Sequence, residues 1–318
     1  MQNISSQGKL AFVFPGQGSQ AVAMLNDFAQ NEIVQNTFKE ASDALGYDLW
    51  QLVAQGPAEK LNQTNHTQPA LLTASVALWR VWQDESDVMP SILAGHSLGE
   101  YSALVCAGVI SLTDGVKLVE KRGEYMQTCV PAGVGAMAAV IGLDDQVIID
   151  ACAQAQADEV VAAVNFNSPG QVVIAGHKAA VERAGELCKA AGAKRVLPLP
   201  VSVPSHCALM SDAADKLATD LESITFNSPT INVVNNVDVA IETSGEAIKT
   251  ALVKQLYSPV RWSETITQLG EQGITQMVEV GPGKVLQGLV KRINKAISCV
   301  SFNTEDSLVK AKELTQKS

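Results

Sequence analysis

Charge is scarce in this sequence, and positive charge scarcest. Charged residues make up 18% of 318 residues, with 23 Lys and Arg against 33 Asp and Glu. The formal net charge of −10 leaves no excess of cations to displace counterions from a phosphate backbone, which argues against nucleic-acid binding. Any acidic partner has to meet a local basic patch. Histidine is sparse too. His66, His96, His177 and His206 show no metal-ligand spacing, so no metal site is expected. The six cysteines (106, 129, 152, 188, 207 and 299) form no Cys-x-x-Cys pair and read as reduced thiols of a cytoplasmic protein. Long apolar runs are missing, so no membrane span is expected. The apolar run 10–14, behind the polar segment 1–9, is too short for a signal-peptide core. The loop Pro15-Gly16-Gln17-Gly18-Ser19-Gln20 lacks the third dinucleotide glycine and a Walker Gly-Lys-Ser/Thr. Nicotinamide and ATP are therefore not expected there, and no cofactor is expected at all.

What is present is a large apolar fraction, 47%, ample for a sizeable core. The length suits one large domain or a domain with an insertion. At its centre stands Gly95-His96-Ser97-Leu98-Gly99, the Gly-x-Ser-x-Gly pattern of a nucleophile elbow. Residues 92–94 suit the end of a buried strand, and 101–107 suit a buried helix. A side chain at Gly95 or Gly99 would collide with the neighbouring backbone in so tight a turn. The turn aims the Ser97 hydroxyl at a helix N-terminus, where free N–H groups can hold a negative oxygen.

Along the chain, 10–14 reads as a buried strand. Residues 22–61 alternate helical patterns with breaks at Gly46 and Gly56-Pro57, and Pro69 opens a long apolar helix through Trp82. A helix restarts at Ser111-Leu112-Thr113-Asp114 and runs through Met126. After the linker 131–135 the pattern becomes strand 136–143, helix 144–155, strands 160–166 and 171–175, helix 177–191 and strand 194–199. That order is βαββαβ, a small inserted unit. Strands follow near 231–234 and 277–280, and the chain beyond Phe302 reads as a polar tail or a fraying helix.

A serine hydroxyl needs a base within hydrogen-bond reach. His96 adjoins Ser97, and adjacent residues at an elbow point apart. His66 lies in a polar loop, and His177 opens an amphipathic helix. His206, in a loop re-entering the main domain before a helix, is the favoured base. Cys207 reads as a small buried residue rather than a rival nucleophile. The aspartates between Ser97 and His206 (144, 145, 150 and 158) all fall in the inserted unit, so the expectation is a Ser–His dyad whose histidine is oriented by something other than a carboxylate, such as a backbone carbonyl. Arg122 suits either a solvated helix charge or a buried fork for a substrate carboxylate, and pattern alone does not separate the two.

Five motifs now stand in order: Phe14-Pro15-Gly16-Gln17-Gly18-Ser19-Gln20, Thr67-Gln68-Pro69-Ala70, Gly95-His96-Ser97-Leu98-Gly99-Glu100, Pro204-Ser205-His206 and Glu279-Val280-Gly281-Pro282-Gly283. Together they closely resemble the malonyl-CoA:acyl carrier protein transacylase family, over nearly the whole chain. The resemblance implies an α/β-hydrolase-like large domain (1–131 and 204–318) with an inserted ferredoxin-like (βαββαβ) small domain (132–203). It implies malonyl transfer from malonyl-CoA to acyl carrier protein in fatty-acid synthesis. By residue, it implies Ser97 as nucleophile, His206 as base and the Gln255 carbonyl as its orienting group. It implies the N–H groups of Gln17 and Leu98 as oxyanion donors and Arg122 as partner of the malonyl carboxylate. Asn165 and Asn167 would help to bind substrate or the pantetheine arm. A cationic face is then required for the acidic carrier: Lys284, Lys291 and Lys295 on one face of a helix over 284–295, with Arg292 beside them, or else Lys189, Lys194 and Arg195. A serine esterase or thioesterase of the same fold, a trans-acting polyketide acyltransferase and a non-catalytic carrier-binding scaffold are the alternatives.

Overall fold

The computed structural model describes residues 10–201 and 203–316; the polar segment 1–9 lies outside the described residues. The described residues are mixed α/β and build two sheets. Strands β1 (Leu10–Phe14), β2 (Ile92–Gly95), β7 (Asn232–Val234), β8 (Gln276–Val280) and β9 (Ser298–Phe302) form a parallel sheet in the order β7-β2-β1-β8-β9. Strands β3 (Gly135–Ile141), β4 (Val161–Ser168), β5 (Gln171–His177) and β6 (Arg195–Pro198) form an antiparallel sheet in the order β4-β5-β3-β6.

The central strand β1 is buried throughout, because the parallel sheet is covered on both faces. Leu10, Phe12 and Phe14 face one core, with the helices Thr64–Glu85, Leu98–Cys106 and Leu112–Thr128. Ala11 and Val13 face the other, with Trp262, Ile266, Leu286 and Leu289. The second sheet carries its helices, Asp145–Ala155 and Lys178–Ala190, on one face. Its other face packs Met137, Val164, Val173 and Ala175 against Cys207, the residue after His206. The inserted sheet thus helps to seat the loop that carries the histidine. Its edge strand β4 is stitched to the large body: Phe166 N–H donates to Val260 O at 3.0 Å, and Val260 N–H donates to Val164 O at 2.8 Å.

Three elements differ from the sequence reading. The long helix begins at Thr64, and Pro69 lies inside it. Its first turn is held by burial of Thr64, Thr67 and Gln68 and by Thr67 Oγ1 donating to Leu61 O at 2.6 Å, so one missing N–H does not stop it. Of the two readings beyond Phe302, tail or fraying helix, the described residues show a helix, and a strand not read from the sequence precedes it. This region forms β9 and the helix Glu305–Gln316, which buries Ala311 and ties Lys312 to Glu85. The helix read over 284–295 spans Val285–Ile293, with Lys284 as N-cap and Lys295 beyond its end. Glu279 sets that start by accepting the N–H groups of Leu286 and Gln287. Among the described residues no helix is long and apolar enough to cross a membrane.

Candidate active site

The loops leaving β1, β2 and β7 meet beside β2. Ser97 follows β2 with φ 53° and ψ −110°, a conformation that side chains rarely adopt. The two glycines make it feasible. A Cβ on Gly95 would stand 1.9 Å from the Gly99 carbonyl carbon, and one on Gly99 would stand 2.0 Å from Phe14 O. Asn236, just past β7, locks the turn. Its Oδ1 accepts Ser97 N–H at 2.7 Å and its Nδ2 donates to Gly95 O at 2.6 Å.

Ser97 Oγ and His206 Nε2 are 2.7 Å apart. His206 Nδ1 is 2.8 Å from Gln255 O, and since a carbonyl only accepts, that nitrogen carries the proton. Nε2 is then a lone pair facing the Ser97 hydroxyl. His206 itself has φ 64°, held by its N–H donating to Leu256 O at 3.0 Å. Gln255 and Leu256 lie in the last turn of the helix Gly245–Tyr257, where carbonyls have no intrahelical donor and the helix dipole is negative. A helix C-terminus stands where a carboxylate would stand in a triad. Burial, aided by the Arg122 charge, pushes the His206 pKa down to about 3.

Arg122 is 1% exposed. Its Nη1 donates to Gln68 Oε1 at 2.7 Å, and its Nη2 donates to Gln255 Oε1 at 3.0 Å and lies 3.4 Å from Ser97 Oγ. Its Nε has no partner, and its guanidinium carbon sits 5.2 Å from the Tyr101 ring centroid. Among the described residues this buried cation is held by two amide oxygens and bonded to no carboxylate, which leaves it able to take an anion. The solvated-charge reading of Arg122 is thereby excluded.

Among the described residues neither Gln17 N–H nor Leu98 N–H has an acceptor, and Leu98 opens the elbow helix. His96 turns away from Ser97, with Nε2 2.7 Å from Asn167 Oδ1. Asn165 leaves a buried Oδ1 without a partner. Burial raises the Cys207 thiol to about 11, which keeps it protonated and inert.

Lys284, Lys291, Arg292 and Lys295 are all exposed, but they do not form one helical face, for the helix bounds given above. Arg292 is further engaged by the Gln171 side chain. In the second patch Lys189 pairs with Glu186.

Sequence reasoning gave no role to Glu100, Asn236, Gln68 or the side chain of Gln255. Glu100 is 2% exposed, and its Oε2 accepts Asn236 N–H at 3.0 Å and Gln255 Nε2 at 2.8 Å. Burial raises its pKa to about 7, against the pull of those two donors and Arg122. Glu100 and Gln68 do stand in the quoted motifs, and Asn236 directly follows a strand at the carboxyl edge of the sheet, where ligand sites gather.

The sequence matches the family model described as acyl transferase domain over residues 11–306. It is 64% identical over 307 residues to the malonyl CoA-acyl carrier protein transacylase of Escherichia coli K12, covering 96% of this chain and 99% of that one. Identity is 43% over 302 residues to the Bacillus subtilis protein of the same name, covering 94% and 95%. An acyl carrier protein S-malonyltransferase from Vibrio cholerae is similar in structure, with a TM-score of 0.94 and 63% identity over 95% of this chain and 99% of that one. A malonyl-transacylase solved in complex with a type II PKS acyl-carrier protein gives a TM-score of 0.95 and 61% identity, over 96% and 99%.

Proposed function

This chain belongs to the acyl transferase family, among the malonyl CoA-acyl carrier protein transacylases, and from that premise we propose how its residues move a malonyl group from malonyl-CoA to acyl carrier protein. His206 takes the Ser97 proton as Oγ attacks the thioester carbonyl. The N–H groups of Gln17 and Leu98 hold the oxyanion, each worth roughly 3 kcal/mol. The CoA thiolate leaves with the proton from the imidazolium, and a malonyl-serine ester remains. The pantetheine thiol of acyl carrier protein then attacks that ester; His206 takes the thiol proton and returns it to Ser97 Oγ as the ester bond breaks and the malonyl thioester leaves. Gln255 O keeps Nδ1 protonated throughout. Arg122 receives the free malonyl carboxylate, and Asn165 and Asn167 line the pantetheine side. These steps call on no cofactor. The acidic carrier docks on the exposed cations around Lys291.

The observation that carries this reading is the placing of Arg122 Nη2 3.4 Å from the same Oγ that His206 faces at 2.7 Å. A nucleophile with a buried guanidinium beside it, bonded to no carboxylate, suits an acyl group that ends in a carboxylate. The architecture fits a hydrolase-like parallel sheet (1–131 and 204–318) with a ferredoxin-like insertion (132–203), since β4-β5-β3-β6 is the second-third-first-fourth order of a βαββαβ unit. Its reaction belongs in the cytoplasm, with the biosynthesis of fatty acids.

Intact-protein mass after brief exposure to malonyl-CoA tests the reading. The expected result is a malonyl adduct that Ser97→Ala lacks and that holo-acyl carrier protein discharges. Release of free malonate at the rate of CoA, without an adduct, would make water the acceptor and the protein a thioesterase. Offering both fatty-acid and polyketide carriers reads which one is served.

A further inference from the structure

The Gln255 side chain lies between a cation and an anion. Its Oε1 accepts from Arg122 Nη2, and its Nε2 donates to Glu100 Oε2 at 2.8 Å and to Ser97 O at 3.1 Å. A terminal amide has two nearly equal shapes, related by a half-turn. Turned over, it would press an NH2 against the guanidinium and a carbonyl against three oxygens, of Ser97, Glu100 and Asn236. Something must hold it the right way round, and Ser97 O at 3.1 Å is one neutral acceptor. Asn236 Oδ1, at 3.4 Å, is a second, and the carboxyl oxygen Oε2 of Glu100, which also accepts Asn236 N–H, is the nearest of the three.

We infer that Glu100 is a positioning residue for malonyl selectivity: it fixes the Gln255 amide so that its oxygen faces Arg122 and aims the guanidinium at the substrate carboxylate. Glu100 touches neither substrate nor Ser97 Oγ. It joins three segments, being 136 residues from Asn236 and 155 from Gln255. The interposed amide matters. A carboxylate bonded directly to Arg122 would occupy the fork that the substrate needs, whereas one bonded through Gln255 steers the fork and leaves it open. Orientation of His206 is independent of this relay, because it uses the main-chain oxygen of Gln255.

The inference rests on the proposed role of Arg122, so Arg122→Ala is run alongside. The readout is kcat/KM for malonyl-CoA divided by that for acetyl-CoA. Glu100→Gln keeps the shape and removes the acceptor-only character. The ratio is expected to fall about tenfold, the loss of one charge-assisted hydrogen bond. Loss of negative charge alone would tighten malonyl binding, so a ratio that rises or holds overturns the inference. Glu100→Gln added to Gln255→Leu is expected to lower the ratio no further, since the relay is already cut. A full additional fall marks a general packing role and overturns it too. Should Glu100→Gln not accumulate as folded protein, Gln255→Leu reads the relay from its other end, and a preference kept there is equally fatal. A ratio that survives Arg122→Ala sinks the carboxylate role of Arg122 together with this inference. A ratio lost in Arg122→Ala but kept in Glu100→Gln sinks this inference alone.

Discussion

The Gln255 carbonyl oxygen lies 2.8 Å from Nδ1 of His206, so the ring meets Ser97 as a neutral acceptor held by main chain. No negative charge stabilises an imidazolium there, and Arg122 opposes one. Burial holds the histidine pKa down at about 3, and kcat/KM for acetyl-CoA, whose acyl group has no carboxylate for Arg122 to meet, is expected to stay flat from about pH 5 to 8. Arg122→Met, assayed with acetyl-CoA, should move the acid limb upward toward the ordinary histidine value. An acid limb near 6.5 in the wild type would refute the buried neutral ring.

The same shift governs acid stability. Between about 3 and 6.5 the unfolded chain binds a proton at residue 206 that the folded chain refuses. The contribution is therefore complete above about 6.5 and shrinks as pH falls toward 3. Urea midpoints for wild type and His206→Asn should converge as pH drops through that window, and parallel curves would contradict it.

Asn236→Ala removes the partners of Ser97 N–H and Gly95 O from a turn held at positive φ. The expected cost is about 2–3 kcal/mol of stability, with a fall in kcat as the serine loses its fixed direction. Denaturant midpoints and acyl-enzyme formation rates check both. Unchanged kcat would mean that the elbow holds its shape without the asparagine.

Gly99→Ala places a Cβ 2.0 Å from Phe14 O, a backbone atom of the central strand that has nowhere to go. A loss above about 4 kcal/mol is expected, read as failure to recover soluble protein or as a collapsed unfolding midpoint.

Lys291→Glu tests carrier docking. It should lower the rate of malonyl transfer to acyl carrier protein about tenfold at low salt, with the difference fading as salt rises. Formation of the acyl-enzyme from malonyl-CoA should change far less. Equal effects on both half-reactions would place the docking face elsewhere. Arg292 is a poorer probe, because its side chain already holds Gln171.

Local pattern made much of this legible. The elbow is contiguous, its glycines are explained by the turn itself, and the βαββαβ order follows from alternating apolar runs bounded by breaks. Residues whose role depends on distant segments were hidden. Gln255 serves through its main chain, which no pattern of side chains records, and it entered only through family resemblance. Glu100 looks like an ordinary first-turn helix acid until the fold brings Asn236 against it. Strand β9 was missed because an edge strand is half exposed and its sequence mixes serine with valine. Pro69 misled as a start signal because tertiary burial of the preceding turn outweighed one absent hydrogen bond.

The bonds between β4 and Val260 weld the inserted sheet to the body instead of leaving it on a hinge. Asn165 and Asn167 stand on that bonded strand, so moving it away from the serine would break those bonds. CoA and a carrier protein differ enormously in bulk but share one slender arm. On the reading proposed above, that arm is all that has to pass β4 to reach Ser97, and the bulk of either one stays outside.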